Sequence, residues 1–346
     1  MTKAAELAKM GEVLTNSQIG GRRNLIINGA MQINQKVTGT FNHNSTASAN
    51  LYGIDRFQFQ SSNLDELEGS ITKVADAPVG FINSMKWTTT EPESSIGAAE
   101  TFDCCQKIEA QDLQHLLYGT SSAKKLTLRF YVKSSVTGTY GINLYKADST
   151  ARQLTSTYTI SSANTWEEKT FTFPADTDSG ATIANDTGEG LRISWLLAMG
   201  SNFTSSDTAL TWTNYTDAGF AFGHAQNSVA TTDNATWQLT GVQLEVGSQA
   251  TPFEHRSFGE ELRLCKRYFE YLSMGVYAQL YGNTSQELGN FFWKVDKRAQ
   301  PTMSAANNPG GHDLSVQSSY PLSGGYVYKS SLNGNSIQGL IGDAEL

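Results

Sequence analysis

Charge is sparse in this 346-residue chain. Only 17% of residues are charged, 25 Lys and Arg stand against 33 Asp and Glu, and the net charge is −8. With a pI near 5.2, such a surface repels phosphate backbones, so nucleic acid is disfavoured as a partner. Long apolar runs are absent as well. No stretch approaches the ~20 apolar residues that span a bilayer, and no membrane insertion is expected. The N-terminus, MTKAAELAKMGEVL, lacks an apolar core and is not read as a signal peptide. Cysteine is scarce: Cys104, Cys105 and Cys265. Adjacent cysteines rarely bridge, and an odd count without regular spacing is no disulfide framework, so reduced thiols are expected. Proline is scarce too (7) while glycine is abundant (31), which suits short strands joined by polar turns.

Motifs of catalysis are also missing. His43, His115, His224, His255 and His312 show no zinc-ligand spacing with each other or with Cys. No nucleophile elbow, phosphate-cradling loop or dinucleotide fingerprint occurs. Asp65, Glu66, Glu68, Glu167 and Glu168 are candidate paired carboxylates, but acidic residues on turns are usually only solvated. No catalytic residue is assigned, and the chain is not read as an enzyme. The stretch DTDSG, Asp176 to Gly180, is half of a calcium loop and lacks the distal Glu. A solvated turn is the simpler reading there. No metal ligand or cofactor is assigned, and structural calcium is the lesser alternative.

What is present is alternation. LTLRFYVKSS places Leu126, Leu128, Phe130 and Val132 on one face and Thr127, Arg129, Tyr131 and Lys133 on the other. LRISWLLAMG groups Leu191, Ile193, Trp195, Leu197 and Met199. VQLEV puts Val242, Leu244 and Val246 inside and Gln243 and Glu245 outside. NLIINGAMQIN carries an Asn-Gly turn signal at Asn28-Gly29. Strands with turn signals about every ten residues predict a mainly β protein, a jelly-roll β-sandwich. CCQKIEAQDLQHLL reads as a strand followed by a loop.

Helical signals are few. Leu7, Met10 and Leu14 form a stripe on a short helix from Lys3 to Leu14, too short to stand alone in water. After Pro252, which a strand ladder excludes, Ser257 stands three residues before Glu260, a capping-box spacing. Phe258, Leu262, Cys265, Phe269 and Leu272 then repeat at 4, 3, 4, 3, a heptad stripe. Either the stripe packs over the sandwich, or three identical helices meet on an axis. The segments are therefore 1–21, a helical attachment segment; 22–256, the sandwich; 257–272, a linking helix; and 273–346, a small β tip, too small to build a large core alone.

Aromatic rings suggest sugar contact, since a flat ring stacks on the apolar face of a pyranose while polar neighbours bond its hydroxyls. The chain has 6 Trp and 14 Tyr. Candidates on the polar faces of strands are Arg129, Tyr131, Asn143, Tyr145, Gln243 and Glu245. In the tip, Tyr277, Tyr281, Trp293, Tyr326 and Tyr328 form either an exposed aromatic patch or a small core. Trp87, Trp212 and Trp237 fit core or surface.

GRRNLIINGAMQINQ followed by YGIDRFQF resembles the opening of tailed-phage fibre and receptor-binding proteins. LTGVQLEVGSQATPFEHRSFGEELRLCKRYFEYL resembles their junction between a strand ending in Pro-Phe-Glu and a Leu-x-x-Cys-x-Arg-Tyr-Phe helix, and KRAQPTMS and GDAEL fit the same pattern. Nested within it, NLIINGAM, LTLRFYVKSSVTGTYGINLY, TWEEKTFTFPA and WQLTGVQLEVG are similar to strands of jelly-roll carbohydrate-binding modules. Those modules often follow Asn-Gly with an apolar-acidic pair that helps hold calcium; here Met31 and Gln32 stand in its place. The resemblance implies a virion protein made in the host cytoplasm: a homotrimeric tail fibre or adhesin, attached through its N-terminus to tail, neck or adaptor proteins and meeting host-surface glycan distally. The implied trimer contacts are Leu7, Met10, Leu14, Phe258, Leu262, Cys265, Phe269 and Leu272. A neck fibre or capsid decoration without a receptor role carries the same signature, and a polysaccharide depolymerase is the third reading.

Overall fold

The computed structural model describes Lys3 and residues 23–36, 41–44, 49–206, 209–272, 276–278, 286–306, 314–320, 322–329, 335–337 and 339–346. The expected stripe at Leu7, Met10 and Leu14, and Tyr281, lie outside these residues. The chain forms two compact units, Met1–Arg256 and Ser257–Leu346.

The first unit is a β-sandwich of two antiparallel sheets. Its strands are β1 (Phe41–Asn44), β2 (Ala49–Ile54), β3 (Phe57–Ser62), β4 (Glu68–Val74), β5 (Ser84–Glu91) and β6 (Thr101–Glu109). There follow β7 (Leu126–Ser134), β8 (Gly138–Lys146), β9 (Arg152–Ile160), β10 (Glu167–Phe173), β11 (Glu189–Met199), β12 (Thr213–Asn214) and β13 (Thr236–Val246). One sheet has six strands in the order β1-β4-β5-β13-β7-β10; the other has seven, β12-β9-β8-β11-β6-β3-β2. This is the jelly-roll arrangement that the alternation predicts. After β6 the chain makes a 3-10 helix, Ala110–Leu116, where a loop is expected.

The core lies between the sheets. Leu126, Leu128, Phe130 and Val132 from β7 meet Leu191, Ile193 and Trp195 from β11 in one cluster. Phe59 stacks on Trp87 at 5.4 Å, and Phe130 meets Trp195 edge-on at 5.7 Å. Trp87 and Trp237 are core and Trp212 is 9% exposed. Cys104 and Cys105 are buried thiols whose pKa values burial pushes up. One sequence expectation fails locally. A register shift in β11 between Leu196 and Ala198 breaks the alternation, so Leu196 and Met199 join Ala221 in a separate small cluster while Leu197 and Ala198 face the main core.

The stretch NLIINGAM makes no regular strand. It lies along β13 where β5 stops pairing, at Leu239. Asn24 Nδ2 donates to the Val242 carbonyl and Asn24 Oδ1 accepts from the Leu244 N–H, both at 3.0 Å. The Leu25 N–H donates to the Leu244 carbonyl and the Val242 N–H to the Gly29 carbonyl. A Cβ at Gly29 would stand 2.1 Å from the Val242 oxygen, so only glycine admits this approach. The motif thus closes β13's open edge.

Among the described residues the second unit holds the helix Phe258–Lys266 and eight short strands: β14 (Phe269–Leu272), β15 (Val276–Ala278), β16 (Gln286–Phe292), β17 (Thr302–Ala306), β18 (Leu314–Tyr320), β19 (Gly324–Lys329), β20 (Asn335–Ile337) and β21 (Gly339–Asp343). They pair as β14-β21-β17, β15-β20 and β16-β19-β18. Ser257 caps the helix, its Oγ accepting from the Glu260 N–H at 3.3 Å. The expected linking helix to Leu272 is corrected here. It ends at Lys266, and Phe269–Leu272 is a strand in register with Leu340–Asp343. Pairing within the unit overrides the heptad period. The expected oligomerisation stripe is divided accordingly: Phe258 is exposed and Leu262 half-buried, while Cys265, Phe269 and Leu272 are buried inside the unit. The heart of this unit is ionic. Lys297 Nζ lies 2.7 Å from Glu270, with both side chains fully buried, and Lys266 approaches the same carboxylate at 3.4 Å. Trp293, an expected glycan contact, is a core residue: it is 6% exposed, packs edge-on against Phe291 at 5.0 Å and lies 4.9 Å from the Lys297 ammonium.

Candidate functional site

Strand alternation gives each sheet an outward face, and the sequence candidates are divided between them. Arg129 and Tyr131 on β7 and Gln243 and Glu245 on β13 belong to the six-stranded sheet. Asn143 and Tyr145 on β8 belong to the seven-stranded sheet. The two sets lie on opposite sides of one sandwich and build no common site. Tyr277 is in β15 of the other unit.

On the six-stranded sheet the polar groups satisfy one another. Gln243 and Glu245 are outward but buried, contrary to expectation. Glu245 accepts from the Thr251 N–H at 2.8 Å and the Thr251 hydroxyl at 2.6 Å; Gln243 Oε1 accepts from the Glu254 N–H at 2.7 Å. Glu254 in turn accepts from the Asn24 N–H at 2.8 Å, and Arg256 donates to the carbonyls of Ile26, at 3.0 Å, and Asn24. These residues latch segment 251–256 and the N-terminal segment onto β13. Arg129 holds Glu168 at 2.8 Å, and the Tyr131 hydroxyl donates to Glu168 at 2.7 Å. Phe81 lies beside Tyr131 at 5.6 Å.

The seven-stranded sheet differs. The register of β8, β11, β6 and β3 sets Tyr145 beside Arg192, Asn143 beside Ser194, Ser194 beside Cys105, Leu196 beside Asp103, and Asp103 beside Gln60. The Arg192 guanidinium lies 5.0 Å from the centre of the Tyr145 ring, a cation–π contact that holds the half-buried ring in place. Glu189 grips Arg192 with two oxygens, at 2.8 and 3.1 Å. Lys107 lies 3.7 Å from the same carboxylate. Tyr215, 38% exposed, meets Tyr145 edge-on at 5.3 Å. Segment 216–220 covers one flank: Asn143 donates to the Phe220 carbonyl, Thr155 to that of Gly219 and Gln153 to that of Thr216, at 2.8–2.9 Å. Asn143, a candidate on the polar face of its strand, is therefore wholly buried.

Among the described residues, two buried acceptors on this face, Asn143 Oδ1 and Gln153 Oε1, have no hydrogen-bond partner, while the Ser194 hydroxyl donates to the Asp103 carboxylate. Asp103 is 4% exposed. Burial pushes its pKa from 3.8 to about 6; Arg192, the hydrogen bond from Ser194 and Lys107 oppose that rise without cancelling it.

The sequence reading missed Asp103, Lys107, Glu189, Arg192, Ser194 and Gln60. For Arg192 and Ser194 a signal was available, since both fall opposite the core set of β11. For Asp103 the signal was a lone acid inside the apolar run TFDCC. The DTDSG stretch is tied internally: Asp176 pairs with Arg152 at 2.5 Å and Asp178 Oδ1 accepts from the Gly180 N–H at 2.8 Å. Among the described residues no cluster of three or more His, Cys, Asp or Glu side chains is arranged to hold a metal ion.

No protein-family profile matches the chain, and no curated protein sequence matches it. Among solved structures, a CBM4 structure is similar at 13% identity and a TM-score of 0.30, over 64% of this chain and 98% of the other. A family 11 carbohydrate-binding module from Clostridium thermocellum gives 12% and 0.31, over 62% and 100%. The enzymatically active domain of tailspike protein 4 from bacteriophage CBA120 gives 10% and 0.30, over 65% of this chain and 21% of that one. At such scores the site rests on this chain's own side chains.

Proposed function

We propose that this chain is a glycan-binding structural protein of a virion, a trimeric tail fibre or adhesin that attaches to host-surface glycans without cleaving them. The observation that carries the glycan part is the outward face of β8, β11, β6 and β3. There a half-buried tyrosine backed by the Arg192 guanidinium supplies a stacking ring on a polar outward face. A pyranose offers the complement, an apolar face ringed by hydroxyls. The virion role is supported by the resemblance of the opening stretch and the junction to tailed-phage fibres. In a trimer, weak sites gain avidity without new contacts.

The test is adsorption. Particles carrying Tyr145→Ala are expected to lose host attachment while keeping the protein on the virion. The purified protein is expected to release no reducing sugar from host polysaccharide. Normal adsorption by Tyr145→Ala particles would replace the receptor role with that of a neck fibre or capsid decoration. Sugar release would make the chain a depolymerase.

A further inference from the structure

We propose that the Lys146 ammonium is a built-in cation: it fills an oxygen cage beside the DTDSG turn, in the place a bound metal ion would take, so that the sandwich stands without calcium. The inference concerns how the loop end of the seven-stranded sheet is held, and it is independent of what the outward face binds.

Lys146 closes β8 and is wholly buried. A buried charge is costly unless it is paired and fully hydrogen-bonded. Its Nζ donates to the carbonyl of Asp148, in the turn to β9, and to those of Gly180, at 3.1 Å, and Thr182, at 3.3 Å, in the connection from β10 to β11. An ammonium has three N–H donors, and each finds an oxygen here. Carbonyls from two separate loops thus converge on one point, and without a positive charge between them their dipoles would repel. The carboxylates of Asp148, Asp176 and Asp178 favour that charge as well.

The cage explains why DTDSG carries only half of a calcium loop. Calcium takes roughly six to eight oxygens at about 2.3–2.6 Å. Here three carbonyls are spaced for an ammonium. The acidic side chains are engaged elsewhere: both oxygens of Asp176 bind Arg152, at 2.5 and 3.1 Å, and Asp178 Oδ1 accepts from the Gly180 N–H at 2.8 Å. Asp148 Oδ2 accepts from the Ala184 N–H at 3.1 Å and ties the two loops together. Two basic side chains, Lys146 and Arg152, do here what a divalent ion does in a complete loop. Arg152 carries the network on to Asn214, at 2.9 Å, and to the Trp212 carbonyl, at 3.3 Å, and so to the edge strand β12.

The experiment follows thermal unfolding of the full chain by tryptophan fluorescence. The wild-type transition is expected to stay where it is in EDTA and in added calcium. Lys146→Met keeps most of the side chain's length without its charge and strands the three carbonyls; its transition is expected about 10 °C lower. Lys146→Ala opens the cage to a free cation, and its transition is expected to rise in ammonium chloride relative to sodium chloride at equal ionic strength. Should the variants fail to fold, refolding Lys146→Ala in the two salts gives the same reading, with recovery expected in ammonium alone. A wild-type transition that falls in EDTA, a Lys146→Met protein as stable as wild type, or a Lys146→Ala protein that unfolds or refolds alike in both salts overturns the proposal.

Discussion

Arg129, Tyr131, Gln243 and Glu245 on the six-stranded sheet and Asp103, Asn143, Tyr145 and Arg192 on the seven-stranded sheet follow the same alternating pattern, yet end in opposite chemical states. The first set closes on itself. Glu245 is taken by Thr251, Gln243 by Glu254, and Glu168 by Arg129 and Tyr131. On the second, among the described residues, Asn143 Oδ1 and the neighbouring Gln153 Oε1 are left over. Polar residues at period 2 mark an outward face; only the count of partners separates a latch from a site.

The largest expected effect breaks the latch. Arg256 is 9% exposed and donates to two backbone carbonyls beneath the N-terminal segment. Arg256→Leu strands those oxygens and Glu254, and about 3 kcal/mol of stability should be lost in urea unfolding. Glycan binding by the remaining folded protein should not change.

Asp103 gives a second effect, with a sign that the latch cannot imitate. Its folded pKa of about 6 lies above the ordinary 3.8. A raised carboxyl pKa favours the native state at low pH, and that advantage is lost as pH rises through about 6. The difference corresponds to about 3 kcal/mol, and Asp103→Asn should remove it. Denaturation midpoints of wild type and Asp103→Asn at about pH 4 and about pH 7 would show it as a gap between the two proteins that changes with pH. A gap that stayed constant would mean that the carboxyl is solvated in the native state.

A smaller effect returns to the six-stranded sheet. Gly241 sits in the β13 register shift with φ +62°, and an added Cβ would lie 2.7 Å from the Phe81 ring and 2.8 Å from that of Tyr131. Gly241→Ala should cost about 1–3 kcal/mol through backbone strain and crowding. Thermal unfolding should record that loss with no change in glycan affinity.

The contrast also shows what was legible in the sequence. Period-2 runs of branched and aromatic residues specified the sandwich, because side-chain burial alone sets that pattern. The capping box was readable because Ser257 and Glu260 are local. The rest depended on distant pairing. The heptad from Phe258 ends at Lys266 because Phe269–Leu272 finds a partner about 70 residues later in β21. Met199 leaves its expected face because of a register shift that no spacing rule announces. The same holds for the site. Tyr145 was readable as outward, but the Arg192 behind it, and the 216–220 segment that meets Asn143, come from other strands and loops.

The most direct test of the account compares Tyr145→Ala with Tyr131→Ala on one oligosaccharide array. Both remove a half-buried tyrosine from an outward strand face, one on each sheet. The account predicts that Tyr145→Ala loses about tenfold in affinity, the scale of a stacking ring and its cation, while Tyr131→Ala binds as wild type does. Loss of binding in Tyr131→Ala with Tyr145→Ala unchanged would contradict it and move the site to the opposite sheet.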